Sequence, residues 1–336
     1  MTRKNILITA PHLLSHGGGE LLVLNFFQHL SKKNNVELWT WKYDKKKTFN
    51  EFKKLGAKLK VIGKETNYFN RLRTWSSINC ESFDAVLAGG FPSYFCANKH
   101  KNVAAKIMII PGYVKNPLLV PLKLFDGIML KKCKTVIVDC KTMQKKIKDT
   151  YGCESKVIPP GIELNLYKKG KFEDYFVHVS RLDKEKNVDK LVREWNLKTK
   201  LILAGDGKKE YREELMKMAK GKNIEFVGNK SKNELAKLYS NCTAVLLAAE
   251  DEPFGLVVLE GMASGKPIIA INKGGPTDTV KKEVGFLCEN QKEMVEKAKL
   301  LVENKKLAEQ MGTKAFKESK KYALKDYLIK IEKELI

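Results

Sequence analysis

With 336 residues, the chain is long enough for two domains of ordinary size, each with its own core. Hydrophobic residues make up 43% of it, which excludes a disordered chain. No apolar run reaches the length of about 18 residues that a membrane-spanning helix needs. Lys plus Arg number 63 against 39 Asp plus Glu, a formal net charge of +24. Such a balance suits nucleic acid, an anionic membrane surface or phosphorylated substrates, with a lysine-rich, merely soluble surface as the equal alternative.

The apolar part of the N-terminal MTRKNILITAP is too short for a signal peptide, and it predicts a first strand. GGELLVLNFFQHLSKK follows with apolar residues at helical spacing. VELWTW, KLKVIG, FDAVLAG and AAKIMII predict further strands, with helical segments between most of them, and KTVIVDC and SKVIPPG close the series. This β–α rhythm implies a parallel sheet covered by helices. IPPGIELNLYKKGKFED then has two prolines, glycines, charge and no clear period, and predicts a linker near residue 165.

After it the rhythm restarts. YFVHVSRL, TKLILAGDG, NIEFVGN, CTAVLLAA, KPIIAI and GFLC predict strands. NVDKLVREW, KEYREELMKMAK, KNELAKLYSN and FGLVVLEGMAS predict helices between them. QKEMVEKAKLLVENKKLAEQMGTKAFKESK and YALKDYLIKIEKELI make a helical end. The expected architecture is α/β, with two Rossmann-like, doubly wound domains facing across a cleft. Residues 1–165 form the first and 166–318 the second. Ligands of such sheets bind outside the carboxyl ends of the strands.

Charge is uneven between the halves. Residues 1–165 carry 28 basic and 12 acidic side chains, the remainder 35 and 27. Seven cysteines are scattered without a C-x-x-C pair, which suits a reduced, cytoplasmic protein with buried thiols.

Candidate chemistry sits where predicted strands end. SHGGGE, residues 15–20, opens the first helix, where glycines admit a ligand to the backbone and a helix N-terminus favours an anion; a plain tight turn looks the same. It lacks the G-x-G-x-x-G of a dinucleotide site. In SRLDKEKN, Arg181 and Lys186 place two cations at a strand's carboxyl end, suited to a diphosphate or to solvent. Gly205, Asp206 and Gly207 make the next strand-to-helix turn, as a binding loop or as a tight turn with a helix cap at Asp206. GMASGKP has three residues between Gly261 and Gly265, and Pro267 where a phosphate loop needs Ser or Thr, so Gly265 reads as a helix stop.

Glu252 lies in the turn DEPFG and Glu260 in the helix LVVLEGMA, about two turns on. The free N–H groups at Phe254–Leu256 suit a phosphate between them, and carboxylates suit sugar hydroxyls. Capping or solvated carboxylates are the alternative. Placed eight positions apart across a loop and a helix, the two do not suggest the pair about 5 Å apart that glycoside cleavage by double displacement needs.

EPFGLVVLEGMASGKPIIA followed by GGP resembles the signature of the retaining family 4 glycosyltransferases, which have the GT-B fold. SRLDKEKNVDKLV, LILAGDG, IEFVGNKSKNELAKLYSNC, VIPPGIE and GGGE are similar to other segments of that family, so the resemblance runs the length of the chain and is most specific toward its C-terminal part. It implies transfer of a hexose from a UDP- or GDP-sugar to a lipid-linked, glycan or other acceptor, with retention of configuration. Arg181 and Lys186 would neutralise the diphosphate leaving group, which in turn helps deprotonate the acceptor. Glu252, with the backbone of Phe254, Gly255 and Leu256, would contact sugar and phosphate. Glu260 would hold the ribose hydroxyls. Gly18 and Gly19 would approach the phosphate and acceptor, Gly205 and Asp206 belong to the donor turn, and Gly228 to Lys230 would lie near the base. The residues after Ser319 would cross back to the first domain.

No D-x-D motif or metal-ligand spacing occurs, so no cofactor and no essential metal are expected. Two departures stand out. Ile110 before Pro111 occupies the place of a histidine that many members carry, with His16 as a substitute candidate, and Asp278 stands where glutamate is common. His178, on a core strand, reads as structural. The expected partners are a nucleotide sugar and a lipid-linked or phosphorylated acceptor at an anionic membrane surface, the protein lying in the cytoplasm and peripheral to the inner membrane face. A non-catalytic sugar-nucleotide binder and a GT-B epimerase are the alternatives. No helix-turn-helix, zinc or aromatic RNA-binding motif supports nucleic acid as a partner.

Overall fold

The computed structural model describes residues 2–15, 17–63, 68–107, 120–250 and 252–336. The chain forms two compact units, Met1–Pro159 with Tyr327–Ile336, and Pro160–Asp326.

The first unit runs β1 (Asn5–Ala10), α1 (Gly18–Leu30), β2 (Asn35–Thr40), β3 (Leu59–Val61), α2 (Tyr68–Ser77), β4 (Ala85–Ala88), β5 (Val103–Ile107), α3 (Val120–Lys132), β6 (Thr135–Val138), α4 (Lys141–Tyr151) and β7 (Lys156–Val157). Its strands form one parallel sheet in the order β3-β2-β1-β4-β5-β6-β7. Ile6, Leu7, Val86, Ala104 and Ile137 are essentially inaccessible, as expected of strands covered on both faces. The predicted strands KLKVIG and SKVIPPG shrink to three and two residues in β3 and β7, the two edges of the sheet, which have one neighbour instead of two.

The second unit runs β8 (Tyr175–Val179), α5 (Val188–Glu194), β9 (Lys200–Ala204), α6 (Lys209–Met218), β10 (Ile224–Gly228), α7 (Lys232–Asn241), β11 (Ala244–Leu247), α8 (Leu256–Ala263), β12 (Ile268–Ile271), α9 (Pro276–Thr279), β13 (Gly285–Cys288), α10 (Gln291–Glu303) and α11 (Lys305–Ser319). Its parallel sheet has the order β10-β9-β8-β11-β12-β13. The core on one face sets the Phe176 ring 5.5 Å from Trp195, edge to face, among Val188, Leu191, Leu201 and Met294. The periodic C-terminal stretch, read as one helical run, is two helices. Asn304 leaves helical geometry and its side chain accepts from the Leu307 amide at 3.0 Å, so it ends α10 and caps α11.

The expected linker is more ordered than its composition suggests. Ile162 donates its amide to the Tyr322 carbonyl and accepts from Leu324, both at 2.9 Å. α12 (Leu324–Leu335) follows and places Tyr327, Leu328, Ile331 and Leu335 in the first unit. There Phe26 packs on Tyr327, Glu332 pairs with His29 at 2.8 Å and Glu334 with Lys156. Beneath Tyr327 lies a buried ion pair, Lys106 with Asp139, in which burial raises the Asp139 carboxyl and Lys106 draws it back.

His178, on β8, is structural as read. It is inaccessible, its Nδ1 donates to the Leu246 carbonyl at 3.1 Å, and Nε2 lies 2.9 Å from Ser180 Oγ. Burial lowers its pKa to about 4. The unfolded chain, with histidine near 6.5, binds the proton first, so stability present above about pH 6.5 is lost as pH falls toward 4, by about 3 kcal/mol. Urea unfolding of the wild type against His178→Gln over this window should show the difference as a flatter profile in the variant.

Candidate active site

The second sheet reverses its winding between β8 and β11, and such a switch point opens a crevice at the strands' carboxyl ends. Two loops leave it, Ser180–Asn187 after β8 and Ala248–Gly255 after β11. One ion pair joins them. Lys186 Nζ lies 2.8 Å from Glu252 Oε2, each side chain about one-fifth exposed at 19%. Lys190 and Lys273 flank Glu250 at 2.6 and 3.1 Å, and Lys190 first, then Lys273, hold that carboxyl below its usual range. Asn187, directly after Lys186, is left-handed at φ 52°, the only non-glycine residue with positive φ among the described residues. Asparagine tolerates that conformation, and here it turns the chain from the Lys184–Lys186 turn into α5.

Lys186 and Glu252, assigned separate roles from sequence, are thus one pair. Arg181 stands apart from it. Its guanidinium meets Asp183 at 3.1 Å and is 63% exposed.

The carboxyl ends of β8, β9 and β10 are stitched together. Gly205 donates its amide to the Gly228 carbonyl, and Leu182 donates to Asp206, both at 2.9 Å. Gly205 has φ 129°, and a Cβ there would run into the Ser180 carbonyl oxygen, so glycine is required twice over. Asp206 is not a helix cap: the N-cap of α6 is Lys208, and the Asp206 carboxylate accepts from the Gly207 amide at 2.8 Å within its own turn. Lys230 follows Gly228, with its ammonium 3.7 Å from Glu234, and Ser231 caps α7 in a reciprocal box with Glu234.

The EPFG turn is clamped from behind. Gly275 donates to the Glu252 carbonyl at 2.8 Å, and a Cβ on Gly275 would run into Phe254 Cα. This close approach is the physical reason for GGP. Gly255, at φ 84°, is the N-cap of α8 and makes no side-chain cap, so the first amides of the helix from Leu256 await a partner. The Phe254 ring is buried, 6.3 Å from Tyr322, leaving only its backbone for a ligand. Asp278 lies half-buried in α9.

Glu260, one face along α8, meets two residues that sequence reasoning missed. Tyr239 Oη donates to Glu260 Oε2 at 2.9 Å, and Tyr167 also bonds this carboxylate. The two rings are 6.4 Å apart and both are buried. Burial raises the Glu260 carboxyl, and the bonds from Tyr239 and Tyr167 pull it back. A carboxylate with two phenols fixed to it keeps lone pairs for further hydroxyl donors.

In the first unit, Gly18 and Gly19 open α1 behind the N-cap Gly17. Glu20, passed over in the sequence, puts a buried carboxylate in the first turn, held by Ser15 Oγ at 2.8 Å with His12 at 3.9 Å. The expected phosphate at Gly18 and Gly19 would share the helix start with that charge. His16, Ile110, Pro111 and Asp251 lie outside the described residues. Among the described residues, no group of three or more His, Cys, Asp or Glu side chains is placed to hold a metal ion, and no helix is long and apolar enough to cross a membrane. All seven cysteines are free, and Cys133 alone of them is not fully buried.

Residues 165–318 match the family described as glycosyl transferases group 1. A probable sucrose-phosphate synthase of Thermosipho melanesiensis is 31% identical over 199 residues, 53% of this chain and 47% of that protein. The sulfoquinovosyl transferase of Arabidopsis thaliana is 31% identical over 166 residues, 47% and 32% of the two chains. The chain therefore spans about half, or less, of the length of these curated relatives. The structure of HepE from Anabaena, in complex with UDP and glucose, superposes with a TM-score of 0.81 over 98% of this chain and 99% of that one, at 16% identity. That likeness shows the fold, GT-B, built of two Rossmann-like domains. The match to the glycosyl transferases group 1 covers residues 165–318, the greater part of the second unit and the segment that carries the Lys186–Glu252 pair.

Proposed function

We propose that this protein is a glycosyltransferase that moves a hexose from a UDP- or GDP-linked donor to a lipid-linked, phosphorylated or glycan acceptor, with retention of configuration. The Lys186–Glu252 pair at the switch point carries the reading. It stores a cation and a carboxylate side by side, beside the uncapped start of α8. A diphosphate is the ligand that such a cation and such amides receive together. HepE, with the same fold, is bound to UDP and glucose in its crystal.

In this mechanism the donor diphosphate takes Lys186 from Glu252. Arg181, exposed and paired with Asp183, swings to the same phosphates. Glu252, released, accepts from hydroxyls of the donor sugar, and Glu260 accepts from the ribose hydroxyls. As the glycosidic bond breaks, negative charge grows on the leaving diphosphate, and the fixed cations and the α8 amides stabilise it. The leaving phosphate oxygen takes the acceptor's proton on the same face of the sugar, which gives retention. Metal-independent turnover is part of the proposal, since Arg181 and Lys186 supply the charge.

Thermal unfolding in the presence of UDP-, GDP-, ADP- and dTDP-sugars tests this. A ligand at a hundredfold excess over Kd stabilises by about 2.7 kcal/mol, and one nucleotide family should do so, without loss on adding EDTA. Flat melts across the whole panel would overturn the reading. A shift without donor hydrolysis or transfer would favour the non-catalytic relative.

A further inference from the structure

α3 buries Met129 and Leu130 and yet turns a second apolar face to solvent. Val120, Leu124, Phe125 and Ile128 are exposed at 46, 63, 39 and 53%. Pro121 lies open beside them, and Lys131 and Lys132 follow. The positions 120, 121, 124, 125, 128, 131 and 132 share one face of a helix. The opposite face seats the helix with Asp126, Gly127, Met129 and Leu130. Asp126 accepts from Tyr151 Oη at 2.6 Å and from Tyr94, and Gly127 packs on the Tyr151 ring. A helix resting on a soluble core hides its apolar stripe; this one presents it.

The surrounding charge says what covers it. Residues 120–151, through the end of α4, contain eight lysines and three aspartates, and two of the aspartates, Asp126 and Asp139, are buried. The surface of this segment offers ammonium groups, Lys134 and Lys145 among them, against one exposed carboxylate, Asp149. Nucleic acid would answer the lysines and leave Leu124 and Ile128 in water. A second copy would bring the same lysines against these, at a repulsive cost. An anionic bilayer satisfies both, with acyl chains for the stripe and headgroups for the lysines. At 13 residues, about 20 Å, the helix suits the interfacial plane and not a crossing.

We propose that α3 is a membrane-docking helix, lying in the surface of an anionic bilayer with Val120, Leu124 and Ile128 inserted, Phe125 anchoring the helix on the buried Phe95 ring 5.3 Å away, and Lys131 and Lys132 among the headgroups. This gives the acceptor side of the proposed function a named surface. Its test is independent of donor binding, so the two readings fail separately.

The protein is expected to co-sediment with phosphatidylglycerol–phosphatidylcholine vesicles and to leave pure phosphatidylcholine vesicles in the supernatant. Leu124→Ser with Ile128→Ser should weaken partitioning at least roughly tenfold. Lys131→Gln with Lys132→Gln should weaken it about 10- to 30-fold. The nucleotide-dependent thermal shift should survive in both variants. Because all four native tryptophans are buried, Ile128→Trp adds a separate reporter, and brominated lipid should quench it. Absence of vesicle binding, binding indifferent to both double variants, or a tryptophan at 128 that brominated lipid leaves bright would overturn the proposal. So would a dimer in sedimentation velocity that Leu124→Ser with Ile128→Ser dissolves, which would assign the face to a second copy.

Discussion

Lys186→Ala is expected to lower kcat by about 10²- to 10³-fold, or about 3 to 4 kcal/mol in the transition state, with the melting temperature little changed. The ammonium meets a single carboxylate at 2.8 Å, and the pair is partly open to water, so its removal takes little from the resting fold. It takes far more from a leaving group whose charge grows as the sugar departs. The partner variant separates these effects by sign. Glu252→Gln frees Lys186 from its resident carboxylate, so nucleoside diphosphate should bind more tightly while turnover falls. Initial rates and isothermal titration of both variants check this. If Lys186→Ala kept full kcat, the cation would have no part in departure of the leaving group.

Glu260→Gln is expected to weaken nucleotide binding by about 10²- to 10³-fold, since under the proposed function this carboxylate accepts from the ribose hydroxyls and the substitution removes its charge there. The same substitution should stabilise the unliganded protein near neutral pH. Burial raises the Glu260 carboxyl above its unfolded value near 4.3, so the folded state holds the proton more tightly than the unfolded one. The stability linked to that proton is therefore present at low pH and is lost as pH rises through the raised pKa. Glutamine removes the charge and with it the decline. Melting curves over pH, with and without nucleotide, should show the variant gaining stability free and losing the ligand response. A variant that kept the response would move the ribose contact to another residue.

Much of this fold was legible because parallel strands covered on both faces read as short apolar runs, and β8 through β13 fall on the runs in which they were expected. Gly205 and Gly255 were legible as turns for the same local reason, each having a positive φ. Contacts set by strand order were not. Lys186 and Glu252 are 66 positions apart and meet because β11 lies beside β8, not beside β10, which a list of strands does not reveal. Tyr239 looked like any apolar residue of an amphipathic helix, since hydrophobic spacing locates its ring and says nothing of where its hydroxyl points. The break at Asn304 did leave a signal, a capping residue within a periodic run, but the periodicity on both sides masked it.

The sharing of α12 between the end of the chain and the first unit carries over to synthesis. Phe26, His29 and Lys156 belong to a body whose last helix is made only after the 167 residues of Pro160–Asp326. At about 5 to 20 residues per second on the ribosome, the first unit waits roughly 8 to 33 s with that side uncovered. The second unit is contiguous and can close as soon as it emerges. The half made first is then the half finished last, and shortening the chain before Tyr327 would leave it permanently in the state that nascent chains pass through.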